Sequence, residues 1–573
     1  MDDDLRARVE EAAEKHALLN AVKHGGEADV GAIMGPLMGE NPAFREHGDE
    51  IPGVAGPVVA AVNDMSHATR RERLETLAPA KLAELEADDE GDDRTLPELP
   101  GVDDVDTVRM RVAPNPNGPW HLGHARMPSV IGRYKERHDG EMIVRFDDTD
   151  PETKRPDLDA YDAILDDVDY LGFEPDAVHR ASDRVETYYE WARELIAAGG
   201  AYTCTCPAET FRGLKADAEA CPHRGRGADR TREEFEAMVD GEYDAGDVVL
   251  RVRTDIEHEN PALRDWVAFR MVDTPHPREA ASDYRCWPML DFQSGVDDHL
   301  LGVTHIVRGI DLQDSAKRQR FVYDHFDWEY PEVVHWGHVE VDAFDVPMST
   351  SAIGERVAQG SLTGWDDPRA PTLGAMRRRG IRGRAIVEAM AELGVSTSNV
   401  DLATSSVYAA NREIVDDEAP RRFLVRDGVE FALTGADRPA AGHPPVHPDH
   451  PDRGDREVPA GDAVLVESED VPADGERVWL KGYGAVRRDG DAFVVTGDDI
   501  DVVREGDVSV VHWVGPEGSV PVRLRTPDGD ETGRAEPTLA ADEPDDVVQF
   551  ERVGFARVDG HDDAETVAFL AHS

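Results

Sequence analysis

Two histidines three residues apart are the first sign of chemistry in this chain. From Arg111 to Arg126 the sequence reads RVAPNPNGPWHLGHAR. A Pro- and Gly-broken loop runs into His121 and His124, and a helical run comes next. Imidazole donors at a helix start, beside the free backbone N–H groups there, suit charge building on a phosphate under attack, as in ATP. Gly123 between them lets a ligand approach the backbone closely. The bland alternative is a loop with two incidental histidines.

Three other groupings could do chemistry. VRFDDTDPETKRP, Val144 to Pro156, ends a strand in Asp147 and Asp148. Acids at the carboxyl end of a strand point into the crevice where ligands bind, and can hold an ammonium group. The competing reading is a turn with solvated carboxylates. GVTHIVRG puts Arg308 at another strand end. A guanidinium buried there needs a carboxylate partner, from a ligand or from a structural salt bridge. Finally, Cys204, Cys206, Cys221 and His223 read C-x-C, fourteen residues, C-x-H. Three thiolates and one imidazole are a closed tetrahedral set for structural Zn²⁺, expected to pin the surrounding excursion onto the sheet domain. Four cysteines in 573 residues exclude a disulfide scaffold.

These groups need elements to hold them. Residues 1–86 read as helical, and 87–103 as an acidic, Pro-marked linker. From 104 strands and helices alternate, which predicts a parallel sheet. Its first half, 104–202, has strands at DTVRMRVAP and EMIVRFDD and helices over 125–137, 157–170 and 182–199. The excursion, 203–285, carries the cysteines and strand-like DVVLRVR and DWVAFRMV. The second half, 286–365, resumes with PMLDF and THIVRG as strands and a helix over 316–326. Residues 366–410 are a helical connector with clustered arginines. From 411 to 573 short strands with Gly/Asp turns predict β-barrels or a sandwich. The fold class is multidomain α/β with a Rossmann-type sheet, whose ligands bind at the switch point near HLGH.

The HLGH stretch closely resembles the first signature of class I aminoacyl-tRNA synthetases, in the glutamyl/glutaminyl branch. RFDDT matches the same branch, and VPMSTSAIGERVAQGSLTGWDDPRAPTLGAMRRRGI, from Val346, resembles the second signature and its downstream sequence. The resemblance covers 104–573 well and the N-terminal region loosely. It implies a class I catalytic domain with an acceptor-stem-binding insertion, a helical N-terminal appendage, and the paired anticodon-binding barrels of archaeal glutamyl and of glutaminyl members. Some members carry zinc in this insertion.

The reaction the resemblance implies is activation of L-glutamate by ATP with Mg²⁺, then transfer to the 3′ end of tRNA(Glu). On this mapping Pro114, Asn117, Gly118, His121, Gly123, His124 and Met348 bind ATP. His121, Gly123, His124, Ser349, Thr350 and Ser351 are catalytic. Arg111, Asp147, Leu290 and Arg308 bind glutamate, and Arg369, Arg377, Arg378 and Arg379 bind tRNA. Arg308 marks the glutamyl side, since glutaminyl members carry a small uncharged residue there. Two positions depart from the pattern. Leu290 stands where many members have a tyrosine, with Trp287 expected to fill part of the space. Thr350 stands where a lysine neutralises ATP phosphates, and no lysine lies between Lys317 and Lys481. Either Arg356 or Mg²⁺ compensates, or activation is weak. The alternatives are a glutaminyl enzyme and a non-catalytic tRNA-binding paralogue. tRNA(Gln) stays open as a second acceptor, with a tRNA-dependent amidotransferase downstream.

The net charge is −57, from 119 acidic and 62 basic residues. Taken at face value this argues against nucleic acid. Lysine is nearly absent, eight against fifty-four arginines, and acid spread over the whole surface is better read as adaptation to a salt-rich cytoplasm. Contacts to tRNA must then come from local arginine clusters. No run of eighteen apolar residues occurs and MDDDLRARVEEAAEKH has no apolar core, so a cytoplasmic protein with no membrane partner is expected. Repulsion at this charge is screened within about 3 Å at 1 M salt. Thermal stability and activity should therefore rise with KCl into the molar range; a maximum in dilute buffer would refute the salt adaptation.

Overall fold

The computed structural model describes residues 3–24, 28, 30–40, 44, 51–63, 65, 67–79, 81, 96–341, 344–436, 438–498, 503, 508–562 and 564–573. Helices Asp3–His24, Val30–Glu40, Ile51–Asn63 and His67–Leu77 form the N-terminal unit. Ala13, Ala17 and Ala21 are buried in a core with Ile51, Ala55, Val59 and Val62. Small side chains on one helix face let the partner helix approach closely, which explains the alanine spacing. Residues 82–95, which hold the first part of the predicted linker 87–103, lie outside the described residues. Leu96 and Leu99 beyond it are buried in the core of the catalytic sheet.

β1 (Arg109–Val112), β2 (Glu141–Phe146) and β3 (Ala177–Arg180) are parallel, in the order β1-β2-β3. Helix Arg126–His138 returns the chain from β1 to β2. β4 (Ala201–Cys204), β5 (Val249–Val252), β6 (Val267–Met271) and β7 (Cys286–Pro288) make a separate antiparallel sheet. This is the predicted excursion. The chain then returns to β8 (His305–Gly309), parallel to β9 (Glu332–Trp336). Thr304 N–H donates to Arg109 O at 2.9 Å, which sets β8 beside β1. Strand order thus reverses between β1 and β8, and ligand crevices open at such a point.

One predicted strand is corrected. PMLDF does not resume the parallel sheet: Cys286–Pro288 completes the insertion sheet, and Leu290–Leu300 is a helix. Its apolar start looks like a strand, but its inward face is polar. Gln293 and Asp297, and Ser294 and Asp298, are i,i+4 pairs and all four are buried.

Helices Leu373–Arg379, Gly383–Glu392 and Thr404–Val415 form the connector. Beyond it two sheets close on themselves. In the six-stranded one, Ala463–Glu467 lies at one end and Ser509–Val511 at the other. Leu465 and Val514 exchange N–H···O bonds of 2.8 and 3.1 Å, which joins those ends. The seven-stranded sheet begins at Arg421–Arg422 and ends at Leu424–Arg426, so it closes through Phe423. Both are barrels, each with its own apolar core.

A buried charge network locks the barrels together. Arg456 pairs with Glu536 at 2.9 Å and with Glu551 at 2.7 Å, and Lys481 also binds Glu551. Burial alone would raise the Glu551 carboxyl, but the His512 hydrogen bond and the Lys481 charge hold it well below the usual range. Removing one partner from such a network leaves buried charge uncompensated, so Glu551→Ala should cost about 3 kcal/mol in denaturant unfolding. A loss under about 1 kcal/mol would show that water satisfies these groups.

Candidate active site

The HLGH residues form a short 3₁₀ turn, Leu122–Ala125, that runs into helix Arg126–His138. The two rings stack with centroids 3.7 Å apart. His121 N–H donates to His124 Nδ1 at 3.2 Å. That leaves the proton of neutral His124 on Nε2, so the ring is a donor on its far side. Burial pushes His121 down to about 4; burial and then the neighbouring His121 push His124 down to about 3. Both are neutral at physiological pH. The turn is held from outside: Leu122 N–H donates to Pro371 O, and Leu373 N–H to Trp120 O. At Gly123 a Cβ would sit 3.3 Å from the His121 ring and 3.5 Å from Met348 Cε. Glycine therefore eases the packing between the two signatures as well as access.

His121, Gly123, His124 and Met348 line one cavity of about 710 Å³ together with Arg111, Asp147, Leu290 and Arg308. Four of the predicted ATP residues and all four predicted glutamate residues thus share a crevice between β1 and β8, whereas Pro114, Asn117, Gly118, Ser349, Thr350 and Ser351 do not line it. Around its floor lies a cluster that sequence reasoning does not reveal. Asp298, fully buried, accepts from Arg111 Nε at 3.1 Å, Arg111 Nη2 at 3.3 Å and Arg145 Nη1 at 2.7 Å. Arg308 Nη2 lies 3.8 Å from it. Burial alone would raise the Asp298 carboxyl; Arg111 and Arg145 outweigh that and hold it at about 2.

Asp147 and Asp148 part company. Asp147 reaches the cavity, gripped by Arg145 Nε at 2.7 Å and Gln293 Nε2 at 3.0 Å. Asp148 turns inward and accepts from Tyr161 OH at 2.6 Å and Ser182 N–H at 2.7 Å. Arg308 donates to Gln319 Oε1 at 3.3 Å, and its buried Nε has no partner among the described residues. Leu290 is 40% exposed at the cavity mouth. Trp287 does not fill the space beside it, which corrects that expectation. Its ring is buried in the insertion core, and Nε1 donates to Tyr284 O at 3.0 Å. Arg145, Gln293, Ser294 and Asp298 escape sequence reasoning, although the i,i+4 polar pairs of DFQSGVDD are an available signal.

In the second signature, Ser349 precedes helix Thr350–Ala358, and Ser351 lies in its first turn. A Cβ on Gly118 would fall 2.5 Å from Thr350 Cγ2, so the Asn117–Gly118 bend and this helix start pack together. Gly118 also has φ +154°. Arg356 does not line the cavity; it donates to Asp345 O at 3.3 Å. Pro114 and Asn117 belong to the loop that anchors the site: Asp147 N–H donates to Pro114 O at 2.9 Å.

The connector arginines are largely committed within the protein. Arg379 is 2% exposed; Nε donates to Leu570 O at 3.0 Å and Nη2 to Ala571 O at 2.5 Å. Burial takes it out of reach of RNA, a correction to the tRNA-binding set. Arg378 pairs with Asp366 and Asp559, and Arg369 with Asp367. Arg377 is exposed, over the Tyr170 ring at 5.1 Å.

The thiol and imidazole donors of Cys204, Cys206, Cys221 and His223 all lie within 4.8 Å of one another. Cys204 and Cys221 sulfurs are 3.9 Å apart, and Cys206 Sγ is 3.3 Å from His223 Nδ1. Tetrahedral zinc with its usual bond lengths needs edges of about 3.5–3.8 Å, so the set fits. Thr205 Oγ1, 3.2 Å from His223 Nε2, orients the ring from behind. All four come from residues 204–223 of the insertion. They would fasten helix Ala208–Ala216 and the next turn to β4, and not the insertion to the parallel sheet. That role falls to contacts such as Arg270–Asp150 at 2.9 Å and Arg184–Asp297 at 2.7 Å.

A histidine turn on the first βα loop, packed against a helix start after the last strand, with two barrels beyond, is the build of a class I aminoacyl-tRNA synthetase. The chain belongs to the glutamyl/glutaminyl family of that class. The family model for "tRNA synthetases class I (E and Q), catalytic domain" matches residues 107–417, and two anti-codon binding domain models of the family match 419–503 and 510–559. The chain is 69% identical over 572 residues to the glutamate–tRNA ligase of Natronomonas pharaonis and 67% over 581 to that of Haloarcula marismortui, covering all of both chains in each case. It is 44% identical to that of Methanothrix thermoacetophila, over 98% of this chain and 99% of the relative. The halophilic sources among these relatives accord with the reading of the acidity. No described helix is long and apolar enough to cross a membrane.

The donor set leads to a direct expectation. Protein purified without chelator should contain about one zinc per chain, and Cys221→Ser should lose it and melt earlier. Absence of zinc, with all these thiols freely titratable, would refute the metal.

Proposed function

We propose that this chain is a glutamate–tRNA ligase: it joins L-glutamate to ATP's α-phosphate, releasing pyrophosphate, then passes the glutamyl group to the 3′ end of tRNA(Glu), releasing AMP, in the cytoplasm. The observation that carries the choice of amino acid is the charge of the ion-pair cluster at the crevice floor. Arg111, Arg145 and Arg308 face Asp147 and Asp298, leaving one positive charge in excess. Glutamate, with two carboxylates and one ammonium, carries the complementary single negative charge. Glutamine is neutral overall and leaves Arg308 unpaired.

In this reading Arg308, with its unpartnered Nε, forks onto the γ-carboxylate. Asp147 holds the ammonium, and the Arg111 group not engaged by Asp298 supports the α-carboxylate. Leu290 cannot supply a side-chain hydrogen bond, so it only shapes the mouth. His121 and His124, neutral donors, meet charge as it develops on the α-phosphate, with Mg²⁺ on the ATP supplying the remaining countercharge. Pro114, Asn117, Gly118 and Met348 frame the nucleotide, and the hydroxyls and amides at Ser349, Thr350 and Ser351 cradle phosphate at a helix start. Catalysis is then mostly positioning and electrostatics. Zinc in the insertion is structural. Of the four arginines assigned to tRNA, Arg369 and Arg377 are exposed and are the ones offered to it.

Aminoacylation with both amino acids and both tRNAs in molar KCl tests the proposal, and the tRNA(Gln) arm decides whether a downstream amidotransferase has a substrate. Glutamate should be preferred over glutamine by about two powers of ten or more in kcat/KM, because an amide presents donor to donor. Arg308→Cys should abolish most glutamate activation. A mutant that keeps the wild-type preference would place specificity elsewhere, and wild type inert in pyrophosphate exchange with tRNA present would favour a binding paralogue.

A further inference from the structure

Asp167 lies beneath the HLGH turn, on helix Leu158–Tyr170, and is 7% exposed. Its Oδ2 accepts the Trp120 N–H at 3.2 Å, one residue before His121. The other anchors of residues 120–122 from outside the turn are main-chain bonds, Leu373 N–H to Trp120 O and Leu122 N–H to Pro371 O, which do not titrate; within the turn His121 N–H donates to His124 Nδ1, an imidazole already neutral well below pH 7. The carboxylate forms no ion pair among the described residues. Facing it are Arg377 from helix Leu373–Arg379 and, on its own helix, Asp166 and the partly buried, neutral Tyr170. Arg377 is held aside, over Tyr170 and donating to Asp166 O at 3.3 Å. From the turn itself comes only the Trp120 amide, and the two histidines above it are neutral.

We propose that Asp167 is a positioning residue for adenylate formation: ionised, it grips the Trp120 amide and so aims His121 and His124; protonated, it relaxes the turn. A hydrogen bond to a charged acceptor is stronger than one to a neutral acceptor, which makes the grip depend on protonation. Burial raises this carboxyl to about 7, opposed by the Trp120 hydrogen bond and by Arg377. Three groups of the crevice titrate far away, His121 at about 4, His124 at about 3 and Asp298 at about 2. Activation should thus rise with pH through a midpoint near 7 that these three do not explain, and Asp167→Asn separates Asp167 from His338, whose imidazole also lines the crevice. The inference rests on the proposed ligase reaction.

The test is glutamate-dependent ATP–pyrophosphate exchange at saturating tRNA(Glu) in molar KCl, from pH 5.5 to 8.5. Wild type should show the rising limb in kcat. Asp167→Asn should lose the limb and run about tenfold slower at pH 8, the gap between charged and neutral acceptors. Because a carboxyl with a raised pKa weakens the fold as pH climbs from about 4 to about 7, Asn should melt no earlier than wild type above pH 7. A purely structural Asp167 would give earlier melting with the limb unmoved. Arg377→Gln, on an exposed side chain, removes a charge that favours the ionised form and should shift the limb to higher pH. No exchange at any pH would overturn the ligase reading itself. A wild-type profile flat between pH 6 and 8, or a limb that neither variant moves, would overturn the role of Asp167 alone.

Discussion

The buried carboxylate of Asp298 is the point on which the site depends. Arg111 comes from β1, Arg145 from β2 and Arg308 from β8, and among the described residues only helix Leu290–Leu300 brings an acid to all three. Without it, three guanidiniums would crowd one dry crevice, and buried unpaired charge costs several kcal/mol each. With it, both halves of the sheet are tied across the switch point, and the second half cannot dock without completing the pocket. Because its folded pKa is depressed to about 2, its contribution is complete above the usual carboxylate range near 4 and is lost only as pH falls through about 2.

That arrangement also explains how one pocket serves two ligands. The arginine cluster sits on the β1–β8 side, and the neutral histidine pair on the turn after β1. Fixed positive charge faces the amino acid, whose carboxylates are permanent. Polarisable neutral donors face the phosphate, whose extra charge exists mainly in the transition state. Had the histidines been charged, they would bind ground-state ATP more tightly without favouring the step.

Groups with distinctive spacing are legible in the sequence. HLGH, Arg308 at its strand end, and the C-x-C and C-x-H cluster all lie where their pattern puts them, and the barrels come from short strands between Gly/Asp turns. What is not legible is polar and buried. In a chain with 119 acids, Asp298 looks like one more surface carboxylate, and its partner Arg145 looks like half of a strand's polar alternation. Helix Leu290–Leu300 reads as a strand because its inward face is Gln293, Ser294, Asp297 and Asp298. Patterning by hydrophobicity finds cores, and a core built of ion pairs escapes it. Leu290 and Trp287 sit three residues apart on the two sides of a strand–helix junction, and spacing alone cannot say that only Leu290 reaches the cavity.

The burial of Arg379 has a more general cause. Arginine clusters in acidic chains suggest nucleic acid, yet here arginine is also the interior cement: Arg379 caps the last strand's carbonyls, Arg126 those of Gly337 and Gly394, and Arg456 joins two barrels. A planar fork that stays charged when buried suits this work better than lysine. The interior is nearly balanced, buried arginines facing buried carboxylates, so the excess of acid lies toward the surface. Across open solvent the net charge of −57 repels tRNA and ATP alike, but in molar salt that field dies within about 3 Å. Inside the crevice protein replaces the screening ions. The arginines there keep their reach because they are buried, so an anion feels them only once it has arrived, and selection among anions is made by contact geometry and not by steering.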